Sequence, residues 1–509
     1  MINKNKEIKV GIFLSYAVLI ISNLIPLFYT PFVIKTLGIE EFGIYSLAKS
    51  FSTYLSLLNM GLGISIVRFL NKAITEKDES ARQNLFNLFF SFYIILSISV
   101  LFIGIIFSVF SDSIFIAIGQ ESRETLKTLI FIVSINTSIS VFSSFFVSVV
   151  QAHQHFIFEK LNNLIITIVL PVVIFLILLL GYKSTEMLIV TGVVGVIYGL
   201  INMYYVFEKL KFKVGLKNLD RTPIKSILQY SKYILIGEIA NILYSSTDRV
   251  ILGIYDSSAS IAIYSVGITF IIYFESIVRT ISSVLFPKIN EMVSNNVGIA
   301  EMNQFFIKIG RIQFGILGLI LSIFIGIGDD FIRLWVGDQY SDAYVIALLV
   351  MIPVSVPLTQ NVGLSIIKAK NKHSFRAITF LILAVLNLFG SLLIVKKLGG
   401  IGCALITSIS YLLGPVMIMN IYYKKVIKLD IKAFWSNILS MSTGLMIILA
   451  LGFVISHFFQ IDSWLKFLLI SMFLTISYFI ILWKKGMNTY EKQLVYNSIQ
   501  ILTKSDKFR

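Results

Sequence analysis

NNLIITIVLPVVIFLILLLGYKSTEMLIVTGVVGVIYGLINMYYVF, residues 162–207, is the stretch that decides the fold. Two apolar runs, 162–182 and 187–207, are parted by little more than Lys183-Ser184-Thr185-Glu186. A helix of about 20 residues, rising ~1.5 Å per residue, crosses a ~30 Å hydrocarbon layer. Within that layer water cannot satisfy backbone N–H and C=O groups, so each run must be helical.

The pattern continues in both directions. Apolar runs read against charged breaks place earlier spans at 12–34, 42–67, 85–110 and 127–150. Later ones fall at 228–254, 260–286, 309–328, 343–367, 376–395, 401–423, 436–458 and 464–483. The composition agrees: 57% of the 509 residues are hydrophobic and 14% are charged, against roughly 25% charged in soluble domains. The polar, lysine-bearing stretch Met1 to Val10 leads into a full-length span, with no small-residue cleavage site after a short apolar core, which predicts a retained first helix.

Charge fixes the sidedness. With loops assigned alternately to two sides, about 32 of the 43 Lys and Arg fall on one side and about 8 on the other. The rich side includes the N-terminus, Arg68 to Arg82, Lys209 to Lys232 and the C-terminal tail. By the positive-inside rule it is cytoplasmic, so both termini are expected in the cytoplasm of a bacterial inner membrane. Topology alone therefore accounts for the net charge of +16, and nucleic-acid binding is not indicated.

The chain also resembles itself at an offset of about 218 residues. Ser22-Asn23-Leu24 recurs as Ala240-Asn241-Ile242, and Phe42-Gly43-Ile44-Tyr45-Ser46 as Ile261-Ala262-Ile263-Tyr264-Ser265. Ile118-Gly119 matches Val336-Gly337, Val150-Gln151-Ala152 matches Ile367-Lys368-Ala369, and Asn202-Met203-Tyr204-Tyr205 matches Asn420-Ile421-Tyr422-Tyr423. The offset covers six helices, so the copies share one orientation, with any cavity between them. The expectation is an all-α integral membrane protein of about 14 transmembrane helices. Two six-helix lobes are related by an axis along the membrane normal, with two extra C-terminal helices. In residues this means an N-lobe at 1–213, a linker and C-lobe at 214–430, and helices 13 and 14 with a tail at 431–509.

A charge at the bilayer centre costs at least ~2.5 kcal/mol on insertion scales, so an intramembrane ionisable group is a functional candidate. Span seven places Ser231, Glu238, Asn241, Ser245 and Asp248 toward one face, with Arg249 beside them. They could line a water-facing cavity, or form a buried, self-satisfied polar cluster. Span eight carries Glu275 and Arg279 at i, i+4, which can equally be a local ion bridge. Lys49 stands in a polar row with Ser46, Thr53 and Ser56. Asn23 and Asn241 hold matching repeat positions and are candidates for the lobe interface, or for plain interhelical bridging. Arg68 and Arg311, at cytoplasmic helix ends, are better explained by topology.

Little suggests an enzyme. The histidines His153, His155, His373 and His457 do not pair with carboxylates at ligand spacing, and the single cysteine, Cys403, allows neither a disulfide nor a cysteine metal site. There is no P-loop and no nucleophile–base constellation, so neither cofactor nor metal is expected.

Three stretches carry a family resemblance: Thr30-Pro31-Phe32-Val33-Ile34-Lys35-Thr36-Leu37-Gly38 with Glu41 to Ser46, Thr247-Asp248-Arg249-Val250-Ile251-Leu252-Gly253 with Ala262 to Ser265, and Trp335-Val336-Gly337-Asp338-Gln339-Tyr340. With the repeat and the two added helices, the chain resembles the polysaccharide transporter branch of the multidrug/oligosaccharidyl-lipid/polysaccharide exporter superfamily, the Wzx-type O-antigen and capsule repeat-unit flippases. The resemblance implies alternating-access translocation of an undecaprenyl-diphosphate-linked oligosaccharide to the outer leaflet, coupled to H⁺ or Na⁺. It implies a polysaccharide polymerase and glycosyltransferases as neighbours in the pathway. It also implies that Lys49, Arg249 and Arg279 are cavity cations for substrate, and that Glu238, Asp248 and Glu275 are ion-coupling or cavity acids. The competing readings are a lipid II-type flippase, a drug/cation antiporter of the same superfamily and, from another class, a membrane glycosyltransferase or polymerase.

Overall fold

The computed structural model describes residues 4–59, 61–215, 219–370, 372 and 374–505. These form helices and no strand. The first seven are α1 (Lys4–Ser56), α2 (Leu62–Glu76), α3 (Glu79–Ile114), α4 (Gln120–Ala152), α5 (Phe156–Leu179), α6 (Ser184–Tyr204) and α7 (Ile224–Tyr255). They are followed by α8 (Ser258–Ser294), α9 (Ile299–Val336), α10 (Asp342–Thr359), α11 (Asn361–Ala369) and α12 (Ser374–Tyr411). The last five are α13 (Met419–Tyr422), α14 (Ile431–Leu439), α15 (Ser442–Phe458), α16 (Trp464–Ile481) and α17 (Thr489–Ser505). Side-chain caps fix several starts: Asp78 accepts from the Ala81 amide at 2.9 Å and Asp430 from the Ala433 amide at 2.9 Å.

Ten helices among the described residues are long and apolar enough to cross a membrane, or eleven if the bent pair α14 and α15 forms one span. The expectation was about fourteen, and part of the difference has a physical origin. Leu14–Ser56 has 43 residues and Ser374–Ile427 has 54, roughly 65 and 80 Å of helix at ~1.5 Å per residue. Each is more than twice what a ~30 Å layer needs. Each is also broken, at Gly38 (φ 78, ψ 170) and at Gly399 (φ 52, ψ −136), between two of the expected spans. Only glycine adopts such angles without strain. The ten do not include α7, whose apolar character is diluted by Glu238, Asp248 and Arg249.

The chain divides into two compact units, Met1–Ser265 with Ala377–Cys403, and Val266–Arg376 with Ala404–Arg509. This division follows packing, whereas the expected lobes follow the sequence repeat.

In the first unit, α4 is packed by small-residue contacts. A side chain at Gly104 would collide with Ser134, one at Gly192 with Asn136, and one at Gly199 with Ser143. Close approach of this kind is how helices associate in lipid, where apolar burial gives no drive. Polar groups bridge the same seams: Ser97 to Ser138 at 2.8 Å and Asn136 to the Leu188 carbonyl at 2.7 Å. An aromatic cluster around Phe86, Phe89, Tyr93, Phe145 and Phe146 fills one end.

The second unit is organised on α9. Gly326 and Gly452 let α9 and α15 touch backbone to backbone, and the Tyr478 hydroxyl donates to the Gly315 carbonyl at 3.0 Å. Residues of α15 and α16, expected outside the repeat, thus share a core with α9 that includes Ile327, Ile448, Leu474 and Tyr478.

Candidate functional site

The central candidate is the polar face of α7. At about 100° per residue, the positions 231, 238, 241, 245 and 248 span an arc of about 100°. The structure separates its edges from its middle. Ser231, at one edge, is buried and bonds Ser65 at 2.8 Å. At the other edge Asp248 is only 2% exposed. Between them Glu238 is half-buried, and Asn241 and Ser245 are exposed. Asn241 donates to Glu238 at 3.5 Å.

Helix α7 is held against α1 by close packing. Gly253 lies under Leu47 and Phe115, and Tyr54 bonds Thr247 at 2.9 Å. This contact sets Tyr54 beside the Asp248–Arg249 turn. The Asp248 carboxylate accepts from the Ser391 hydroxyl at 2.9 Å and from the Tyr264 hydroxyl. Asn387, one turn before Ser391 on α12, is also buried. Arg249 directs Nε to the Ser265 hydroxyl at 3.0 Å and Nη1 to the Ser245 carbonyl at 3.4 Å.

A buried carboxylate held by hydroxyls and coupled electrostatically to the adjacent Arg249 has the chemistry to exchange a proton. No group of three His, Cys, Asp or Glu that could hold a metal ion occurs among the described residues.

The other predicted residues fall as follows. Lys49 is exposed, with its ammonium 5.4 Å from the Tyr45 ring centre. Asn23 is half-buried and donates to the Leu19 carbonyl of its own helix at 2.7 Å, so both matched asparagines bond within their own helices. In the second unit, Glu275 and Arg279 form the i, i+4 ion pair on α8, with Arg279 mostly exposed. All of His373 lies outside the described residues. His155 contacts the Tyr205 hydroxyl at 2.6 Å, and burial pushes His153 down to about 4.

Sequence reasoning missed the partners of Asp248. Tyr264 was visible as the repeat mate of Tyr45, but nothing in the pattern marked Ser391. It also read Arg311 as a topology charge, whereas Arg311 is a buried clamp. Its Nε donates to Glu491 at 2.6 Å and its Nη2 to Glu491 at 2.9 Å and to the Gly486 carbonyl at 2.6 Å; Nη1 reaches Ser440 at 3.1 Å.

A cavity of about 640 Å³ also opens in the second unit, lined by Asp329, Asp330, Arg333, Asp338, Gln460 and Asp462 among others. With four carboxylates to one guanidinium, it has the wrong sign for a diphosphate.

Comparison with known proteins adds the following. Residues 8–293 match the family model described as "Polysaccharide biosynthesis protein". The chain is similar to the uncharacterized membrane protein EpsK of Bacillus subtilis (strain 168), 20% identical over 490 residues, covering 94% of this chain and 95% of that one. It is similar to the "Putative O-antigen transporter" of Shigella flexneri, 22% identical over 407 residues, covering 77% and 92%. Among solved structures, the lipid II flippase MurJ in an inward closed conformation has the same fold, with a TM-score of 0.71 at 15% identity, covering 93% and 99%.

Proposed function

This chain belongs to the polysaccharide biosynthesis protein family of the multidrug/oligosaccharidyl-lipid/polysaccharide exporter superfamily, and from that premise we propose the substrate, direction and coupling of its transport. It is a multi-pass membrane transporter of the flippase type. The proposed cargo is an undecaprenyl-diphosphate-linked oligosaccharide repeat unit. It travels from the cytoplasmic to the outer leaflet of a bacterial inner membrane by alternating access, driven by an H⁺ or Na⁺ gradient. The proposed topology keeps fourteen spans with both termini cytoplasmic. The breaks at Gly38 and Gly399 support it, since each converts one overlong helix into two crossings.

The observation that carries the ion-coupling reading is Asp248, buried on α7 and hydrogen-bonded to Ser391 and Tyr264. A carboxylate there costs free energy that selection tolerates for a task. In this reading Asp248 takes the coupling ion, and Lys49 and Arg249 meet the diphosphate, where charged donors bind most strongly. Arg279 is the third cation, Glu238 and Glu275 are secondary acids, and Asn23 with Asn241 mark the lobe interface. The pathway partners are the glycosyltransferases that build the repeat unit and the polymerase that consumes it.

The test is gene deletion with complementation, scoring on which leaflet lipid-linked repeat units accumulate. Deletion should trap them on the cytoplasmic face, and Arg249→Ala at normal expression should fail to release them. Units that reach the outer leaflet at the wild-type rate in the deletion strain overturn the function. Full complementation by Arg249→Ala removes that residue from the site.

A further inference from the structure

The segment between α6 and α7 reads Lys209-Leu210-Lys211-Phe212-Lys213, alternating basic and apolar. A linker with no task beyond joining two halves would carry no such alternation, and the structure uses it. Leu210 and Phe212 are buried, whereas Lys209, Lys211 and Lys213 are exposed. The Phe212 ring stacks on Phe86 at 4.4 Å, and the Arg82 guanidinium lies 4.2 Å from its centre on another side.

The backbone is held as well, by the first turns of α3. Arg82 donates to the Leu210 carbonyl at 2.7 Å. Gln83 takes both sides of Lys213, accepting from its amide at 3.4 Å and donating to its carbonyl. Asn87 accepts from the Gly215 amide at 3.1 Å. Asn84 takes both sides of Asp220, with 2.9 Å to its amide and 2.9 Å to its carbonyl. These amide side chains imitate the pairing of a neighbouring strand.

The positive-inside rule accounts for the number of lysines here but places no demand on their geometry. Ordering a linker costs conformational entropy, so a strap fixed at this many points holds its lysines in a set array. Lys211 pairs with Glu208 at 3.7 Å on the surface, and no carboxylate pairs with Lys209 or Lys213 among the described residues. The strap follows α6 within a few residues and lies on the start of α3, so it sits near the edge of the hydrocarbon layer.

We propose that this strap, residues 208–215 clamped on α3, is a binding surface for the anionic headgroups of phospholipids in the leaflet it faces. Phosphate groups match exposed ammonium groups in charge, and a rigid array gathers several without first ordering itself. The proposal rests on the cytoplasmic assignment of this side made above.

The test titrates the full chain, held in phosphatidylcholine nanodiscs, with short-chain phosphatidylglycerol. Surface lysines contribute about fivefold each in affinity for anionic lipid. The triple variant Lys209→Gln, Lys211→Gln, Lys213→Gln should therefore bind at least about tenfold more weakly. Gln83→Ala with Asn87→Ala removes the side-chain bonds to Lys213 and Gly215 while keeping every lysine, and should weaken binding several-fold. Wild-type affinity in the triple variant overturns the surface, and wild-type affinity in the Gln83, Asn87 double variant overturns the role of the clamp. Lys213→Cys, probed with a membrane-impermeant maleimide, separates the two readings. Labelling in intact cells would sink the sidedness without touching the binding result.

Discussion

Asp248→Asn tests the coupling assignment with little damage to the fold. Asparagine has the same shape and keeps one carbonyl oxygen for the Ser391 hydroxyl, now 2.9 Å from Asp248. Its amide nitrogen faces the Tyr264 hydroxyl, which must turn from donor to acceptor. A phenol can do so, and the expected cost is about 0.5–1.5 kcal/mol, the worth of one rearranged hydrogen bond. What the substitution removes entirely is the titratable charge. In proteoliposomes with a labelled lipid-linked oligosaccharide, an imposed gradient of ~100 mV is worth about 2.3 kcal/mol per coupled charge. That is a leaflet bias of up to about 50-fold, since each ~1.4 kcal/mol is tenfold. The wild type should develop a bias of that order, and Asp248→Asn should leave the leaflets near equal while still exchanging substrate. Gradient-driven asymmetry preserved in Asp248→Asn would refute the reasoning. Tyr264→Phe removes only a donor to the carboxylate, and should leave coupling present but shifted in its pH dependence.

Two further outcomes follow from the buried groups. Arg311→Met leaves Glu491, itself 7% exposed, with no counter-charge, and should cost about 3–5 kcal/mol in reversible unfolding. Adding Glu491→Gln should restore most of that, since Gln keeps the capping exchange with Asn488 at 2.9 Å each way; a double variant as unstable as the single one would contradict the clamp. His153, pushed down to about 4 by burial and further by Arg82 and His155, with the Val149 carbonyl and then Glu79 opposing, should make the protein less stable in acid. The unfolded chain binds the proton first, so stability falls as pH drops from about 6.5 toward about 4. Asp220 is held below its ordinary value by the amide and hydroxyl of Thr222, so it adds to the loss only at lower pH. Thermal melts at stepped pH should show the slope, and His153→Phe should flatten it.

Most of the helical architecture was legible because the bilayer enforces it. A span must be apolar for its full length, so residues 162–207 announce two helices without any knowledge of their neighbours. Asp248 and Arg249 stood out for the same reason, as charges a span should not contain. The breaks at Gly38 and Gly399 were visible only as short polar interruptions, because a positive φ leaves no mark beyond the glycine itself. The strap was within reach: the alternation of Leu210 and Phe212 with lysines is a period of two, overlooked inside a stretch read only for its charge. Ser391 and Glu491 were out of reach. They lie 143 and 180 residues from their partners, and hydrogen bonds across such distances have no periodicity to betray them.

Burial alone therefore does not separate function from architecture here; the chemistry of the partners does. Arg311 and Asp248 are both buried charges in helical surroundings. Arg311 is met by a full opposite charge and by carbonyls at fixed distances, an arrangement complete in itself and useful only as a fastener. Asp248 accepts from two hydroxyls and is coupled electrostatically to Arg249, the next residue. Arg249 spends its Nε on Ser265 and one terminal nitrogen on a backbone carbonyl of its own helix. In the proposed reading, the proton or cation coupled to transport is taken up at that carboxylate. The Glu275–Arg279 pair lies nearer the first kind: two turns of one helix neutralise each other at the surface. Replacing both with glutamine should therefore change transport less than Asp248→Asn alone.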